Sequence, residues 1–129
     1  MVPKSIIVAL ALLIVGSGVA SSAGSLDKSC REHPQVVSRC VTVRGRLAVY
    51  NGALALRIWK IGTKRVLGVS EQRFAIAGFT NIPEEVKAKI DQNKFLYGDF
   101  VVCPFTTPRP SEMQLVCIEK VTNLRIKER

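Results

Sequence analysis

Few residues in this chain carry the chemistry that catalysis needs. Among 129 residues there is one histidine, His33, and there are four cysteines, Cys30, Cys40, Cys103 and Cys117. A Ser-His-Asp or Cys-His apparatus would have to use His33, which lies in an irregular stretch and reads as a surface residue. Cys30 and His33 form an isolated C-x-x-H, but the other cysteines are distant and no second histidine exists, so no metal centre is expected. Paired carboxylates for glycoside hydrolysis could come from Asp99, Glu112 and Glu119. Asp99 and Glu119 lie near basic residues, where ordinary ion pairing is the simpler role. Gly45, Gly52, Gly62 and Gly68 are isolated turn or bulge positions, not a loop that cradles phosphate. The residues read as a binding or structural module with no cofactor, not as an enzyme.

The richest cluster is Arg44 to Val69, RGRLAVYNGALALRIWKIGTKRVLGV. Cations mixed with aromatic planes are the combination that grips single-stranded nucleic acid or stacks on sugars. The candidate ligand-binding residues are Arg46, Arg57 and Trp59, extended by Lys60, Lys64 and Arg65 in the following turn, with Tyr50 nearby. Trp59 has a structural alternative, closing the end of the fold or covering the Cys30 segment.

Elements that would position this cluster follow from periodicity. Val41, Val43, Leu47 and Val49 alternate with Thr42, Arg44, Arg46, Ala48 and Tyr50, the period of two of a half-buried strand. Asn51-Gly52 follows at once and predicts a two-residue type I′ hairpin. That turn sets Arg46 opposite Arg57 and Arg44 opposite Trp59. Two arginines facing each other across a strand pair are unfavourable unless an anion or carboxylate intervenes. Arg65 to Val69 reads as a third strand, and Ser70 to Thr80 fits either strand or loop. IPEEVKAKIDQN reads as a short helix, with Pro83 in its first turn, Glu84 and Glu85 at its positive end, and Ile82, Val86 and Ile90 as a buried stripe. FLYGDFVVCPF and MQLVCIEKVTNLRI are strands separated by TTPRPSE, whose prolines stop pairing.

This β-β-β-α-β-β order over residues 40–127 resembles the OB-fold, an all-β architecture with one short helix in which five strands form a Greek-key barrel. A small β-sandwich is the alternative. R-I-W-x-I-G-T-x-R-x-L-G and C-P-F-T are also similar to a family of small exported bacterial proteins, and neither likeness brings an activity with it. The OB-like arrangement implies a fourth strand antiparallel between the first and the fifth. Antiparallel partners share one constant sum of position numbers, so a register that sets Cys40 beside Cys103 also sets Arg44 beside Asp99. A hairpin centred on Pro110 sets Cys103 opposite Cys117, and all three cysteines would face outward. Cys40 and Cys117 would then be two strand spacings apart, roughly 9–10 Å and beyond disulfide reach. Two connectivities remain: Cys30–Cys117 with Cys40–Cys103, or Cys30–Cys40 with Cys103–Cys117.

The opening MVPKSIIVALALLIVGSGVASSAG has one lysine, an apolar run too short to span a bilayer, and small residues up to Ala23, the pattern of a secretory signal peptide. The expected organisation is a signal peptide over 1–23, an irregular lead-in over 24–39 and one β domain over 40–129. Export to a periplasmic or extracellular compartment makes disulfides the expected state of the cysteines, at ~2–4 kcal/mol per bridge. No integral membrane segment is expected after cleavage. The chain carries 19 Lys and Arg against 10 Asp and Glu, a net charge of +9. That excess draws a protein to anionic polymers or lipid headgroups. An exported module for such a ligand (polysaccharide, nucleic acid or headgroup) is therefore the leading expectation. A protein–protein or assembly module of the envelope, using Trp59, Phe79 and Phe105, is its rival.

Overall fold

The structure is a computed structural model and describes residues 28–52 and 54–129. The signal-peptide segment and the first residues of the lead-in lie outside the described residues. The chain is almost entirely β, with five strands: β1 (Val41–Val49), β2 (Leu56–Lys60), β3 (Val66–Val69), β4 (Lys94–Pro104) and β5 (Gln114–Glu128). They form one sheet, not two, and it closes on itself in the order β1-β2-β3-β5-β4. This order around the ring departs from the plain order along the chain, because β5 lies between β3 and β4. The closure is irregular: β3 meets β5 over only three pairs, Leu67 to Val69 with Gln114 to Val116, and those are parallel.

Alternation builds the ring. Leu47, Ile58, Leu96, Phe100, Val102 and Ile118 point inward and are almost fully buried. The helix α1 is short, only Glu84–Lys87, with Pro83 before it. The expected longer helix gives way to a turn after Lys87, where Lys89 N–H and Ile90 N–H share the Val86 carbonyl, three and four residues back. Its stripe behaves as expected, since Ile82, Val86 and Ile90 pack on the ring interior.

Gly45 faces Gly98 across β1 and β4. A Cβ on Gly45 would run into Ile58 Cγ2, with Trp59 O at 3.3 Å, and one on Gly98 would meet Val121 Cγ2 at 2.8 Å. Ile58 and Val121 occupy the space that side chains at these two positions would need.

A second core lies outside the ring. Cys30, Cys103, Phe105, Leu115 and Cys117 are buried together, with Val36, Leu54 and Phe74 against them. Cys40, Cys103 and Cys117 were expected to face outward. They do sit on the outer side of the strands, yet the lead-in folds over them, so Cys30, Cys103 and Cys117 are essentially inaccessible. The bridges are Cys30–Cys117 and Cys40–Cys103. They join residues 87 and 63 positions apart, loops long enough for ~4 kcal/mol each in the chain-entropy account. Such bridges fit a compartment outside the reducing cytoplasm. No helix among the described residues is long and apolar enough to cross a membrane.

His33 departs most from expectation. It is 3% exposed, held between the rings of Phe79 and Phe105 at 5.2 and 4.7 Å. Gln35 N–H donates to Nδ1 at 3.1 Å, which makes Nε2 the protonated nitrogen, donating to Phe74 O at 2.7 Å. A single ring thus ties the lead-in to the loop after β3, and Asn81 supports the same carbonyl through Nδ2 at 3.3 Å.

Two stability predictions follow from this geometry. Gly45→Ala should lower the free energy of unfolding by about 1–3 kcal/mol through overpacking against Ile58, read as a lower urea midpoint at an unchanged slope. His33→Leu fills the space but removes the acceptor of the Gln35 N–H and leaves the Phe74 carbonyl only the longer Asn81 bond, and should cost about 1–2 kcal/mol. A melting temperature equal to that of the wild type would show the histidine to be a mere filler.

Candidate functional site

The outer face of β1, β2 and β4 carries the candidate site. The β1–β2 register differs from expectation: Arg46 lies opposite Trp59, and Ala48 opposite Arg57. The expected Arg46–Arg57 and Arg44–Trp59 pairs are therefore not formed. The cause is the turn. A type I′ turn needs positive φ at both central residues. Gly52 has it at 97°, but Asn51 does not, and the connection runs on to Leu54 at φ 55°. Tyr50 N–H consequently bonds Ala55 O, and every later β2 partner shifts by two.

A shift of two leaves the residues of β2 on their expected faces and places Trp59 directly across from Arg46. The Arg46 guanidinium lies over the rings of both Trp59 and Phe95, 5.0 and 4.4 Å from their centroids. Arg129 lies over Phe95 at 5.1 Å and Tyr50 at 5.4 Å. Arg57 lies over Tyr50 at 5.0 Å. The result is one alternating row: Trp59, Arg46, Phe95, Arg129, Tyr50, Arg57. Ala48, on the outer side of β1, is fully buried beneath this face.

No carboxylate meets this row. Ion pairs among the described residues are Arg44–Asp99, Lys87–Glu84 and Lys94–Asp91, and none includes Arg46, Arg57 or Arg129. Arg57 Nε donates to Leu54 O at 3.1 Å, and Arg129 Nη1 to Val49 O at 2.7 Å. Arg46 Nε is buried and has no partner. Trp59 is half-buried, and its Nε1 donates to Thr63 O at 2.8 Å, pinning the β2–β3 turn.

The remaining expected binding residues sit elsewhere. Lys60 frames the base of that turn, its N–H donating to Arg65 O. Lys64 and Arg65 line an open groove of about 550 Å³ against the β4–β5 connection, together with Arg109, Glu112 and Gln114. There Arg65 Nη2 donates to Gln114 Oε1 at 2.9 Å.

Arg44 pairs with Asp99 in the expected register, Nε to Oδ1 at 3.7 Å. With the Arg44 side chain 76% exposed, such a pair contributes well under 1 kcal/mol. Asp99 also accepts from Asn123 Nδ2 at 2.8 Å, and Glu119 Oε2 accepts from Arg31 N–H at 2.7 Å. Two of the three carboxylates considered for catalysis are thus engaged, and the third, Glu112, lies apart from them in the groove beside Lys64 and Arg65. The sulfur atoms of Cys30, Cys103 and Cys117 lie within 4.8 Å of one another, but as disulfide sulfur they offer no thiolate to a metal.

Phe95 and Arg129 were not among the expected site residues. Phe95 could have been found by extending the β1–β4 alignment one step past Leu47–Leu96, which brings it across from Ala48. Arg129 had no such signal, because β5 passes two register shifts against β4 before reaching it. No family model, curated protein or solved structure matches this chain.

Arg46 offers a direct test of whether this row is a wall or a site. Arg46→Met keeps an apolar stem between the rings and removes the stranded donor. Losing two cation–π contacts costs ~1 kcal/mol or somewhat more, and losing a buried unpaired donor returns a similar amount. Unfolding in urea should therefore stay within about 1 kcal/mol of wild type. A loss of 3 kcal/mol or more would make Arg46 a structural post.

Proposed function

We propose that this chain is an exported, non-enzymatic binding module of OB-like Greek-key architecture, which holds an anionic ligand on the outer face of β1, β2 and β4. The observation that carries this reading is the set of three arginines, Arg46, Arg57 and Arg129, on one face with no acidic partner among the described residues. Like charges gathered without counter-charge are unfavourable in the empty protein, and an anion arriving there relieves that repulsion. The buried, unpartnered Nε of Arg46 points the same way.

The architecture supports the reading too, since β5 between β3 and β4, with β4 antiparallel to β1, is the strand sequence of an OB-like ring. Two disulfides are consistent with export. The rival, a protein–protein module built on Trp59, Phe79 and Phe105, has less to work with. Phe105 is 3% exposed, Phe79 packs on His33, and Trp59 lies under Arg46.

The Arg46→Ala/Arg57→Ala double variant tests the proposal. It should fold with both bridges formed, yet lose tenfold or more in affinity for heparin and DNA at low salt, and elute from either resin at clearly lower salt than the wild type. Retention equal to that of the wild type would overturn the assignment. A stable oligomer indifferent to salt would favour the protein–protein module.

A further inference from the structure

The same row also restricts the kind of anion, and this step rests on the reading above. Proteins that hold single-stranded nucleic acid or neutral sugars do so largely by stacking bases or sugar rings on open aromatic faces. Here those faces are occupied. Trp59 has Arg46 over it, Phe95 has Arg46 and Arg129, and Tyr50 has Arg57 and Arg129. A base could stack on Phe95 or Tyr50 only by displacing guanidinium groups, one of which is tied to Val49 O. What the row leaves unused is guanidinium N–H groups, not ring faces.

Each guanidinium has five N–H donors in a planar fork. Arg57 uses its Nε and Arg129 its Nη1 within the protein. Arg46 uses none. The unused forks suit bidentate contact with sulfate, carboxylate or phosphate oxygens. Stacking fixes the forks before a ligand arrives, so less side-chain freedom is lost on binding. Their order is linear as well, with Arg129 sharing one ring with Arg46 and another with Arg57. A ligand that engages all three must present oxyanions in succession along a chain.

We infer that the ligand is an acidic polysaccharide held by its sulfate or carboxylate groups across Arg46, Arg129 and Arg57, with Trp59, Phe95 and Tyr50 serving as positioning residues that do not stack on it. Polysaccharide is favoured over nucleic acid because the rings are covered and because both disulfides fit a compartment outside the cytoplasm. It is favoured over a membrane surface because the aromatics that would enter the headgroup layer lie beneath the arginines.

Trp59 is the chain's one tryptophan, so its emission reports on stacking at the site. The full protein is titrated with a heparin oligosaccharide, with oligo(dT), with an abasic phosphodiester of equal phosphate number, and with anionic phospholipid vesicles. The heparin oligosaccharide should bind without quenching Trp59. Arg129→Ala should weaken it about tenfold, as Arg46→Ala does, and each change should reduce the slope of log affinity against log salt by about one. Oligo(dT) should bind no better than the abasic chain.

Oligo(dT) binding tenfold tighter than the abasic chain, with Trp59 quenched, would overturn the polysaccharide assignment while leaving the anionic-ligand reading in place. Binding to vesicles without binding to the oligosaccharide would do the same in favour of a headgroup. An Arg129→Ala protein that binds the oligosaccharide like wild type would break the three-arginine row. Failure of every polyanion to bind at low salt would remove both this inference and the reading beneath it.

Discussion

The register of β1 against β4 is the constraint on which both ends of this molecule depend. Gly45 opposite Gly98 leaves room on the inner face of the pair for Ile58 and Val121. Once they are paired, each other partner is determined. Cys40 comes beside Cys103, Arg44 beside Asp99, and Arg46 beside Tyr97. A slip of one residue would turn the arginines into the ring and Leu47 out of it. A slip of two would keep the faces but separate Cys40 from Cys103. Burial on one side and sulfur chemistry on the other therefore select the same alignment.

From that register the outer wall divides into two regions of different chemistry. Toward the end of β4 that holds Cys103 and Pro104, the facing Cys117 brings in Cys30 and with it the lead-in. His33 then completes a cover in which both of its ring nitrogens are satisfied inside the protein. Toward the beginning of β4, Phe95 meets the arginines of β1 and the end of β5, and the polar atoms are not all satisfied. The first region contributes stability by closing long loops and burying apolar surface. In the second, charge is concentrated without a counter-charge. A domain this small gains much from the bridges, and they tie down the wall opposite the end where the arginines are gathered.

What could be read in the sequence depended on how many independent signals fixed each register. The β1–β4 and β4–β5 alignments were legible because cysteines and opposite charges marked both strands, and Cys103 does face Cys117 as the Pro110-centred hairpin requires. The β1–β2 alignment had only Asn51-Gly52 to mark it, and that dipeptide is not used as a two-residue turn. The resulting shift of two preserved the choice of face, so Arg46, Arg57 and Trp59 were correctly gathered while their partners were not. His33 was illegible for a different reason. A residue in an aperiodic segment has no hydrophobic pattern to place it, and only its distance of three positions from Cys30 tied it to a bridged, buried site. Arg129 depended on two register shifts in β5, at Glu119 and around Asn123, which no local pattern announces; Asn123 reaches positive φ there without being glycine.

The way the arginines are stabilised bears on what they can do. A carboxylate beside Arg46 would neutralise its charge and also consume its N–H donors, as Asp99 does in part for Arg44. An aromatic face acts differently. It attracts the cation through the ring quadrupole but accepts nothing along the guanidinium edge, so the donors stay available while the plane is held. Two rings between the three arginines, with Trp59 at the end beside Arg46, thus lessen the repulsion of the row without saturating it. The buried Nε of Arg46 shows that the compensation is incomplete, since a ring face offers that donor no acceptor. The arrangement is what is expected when a surface must remain positive, ordered and unpaired until an anion reaches it.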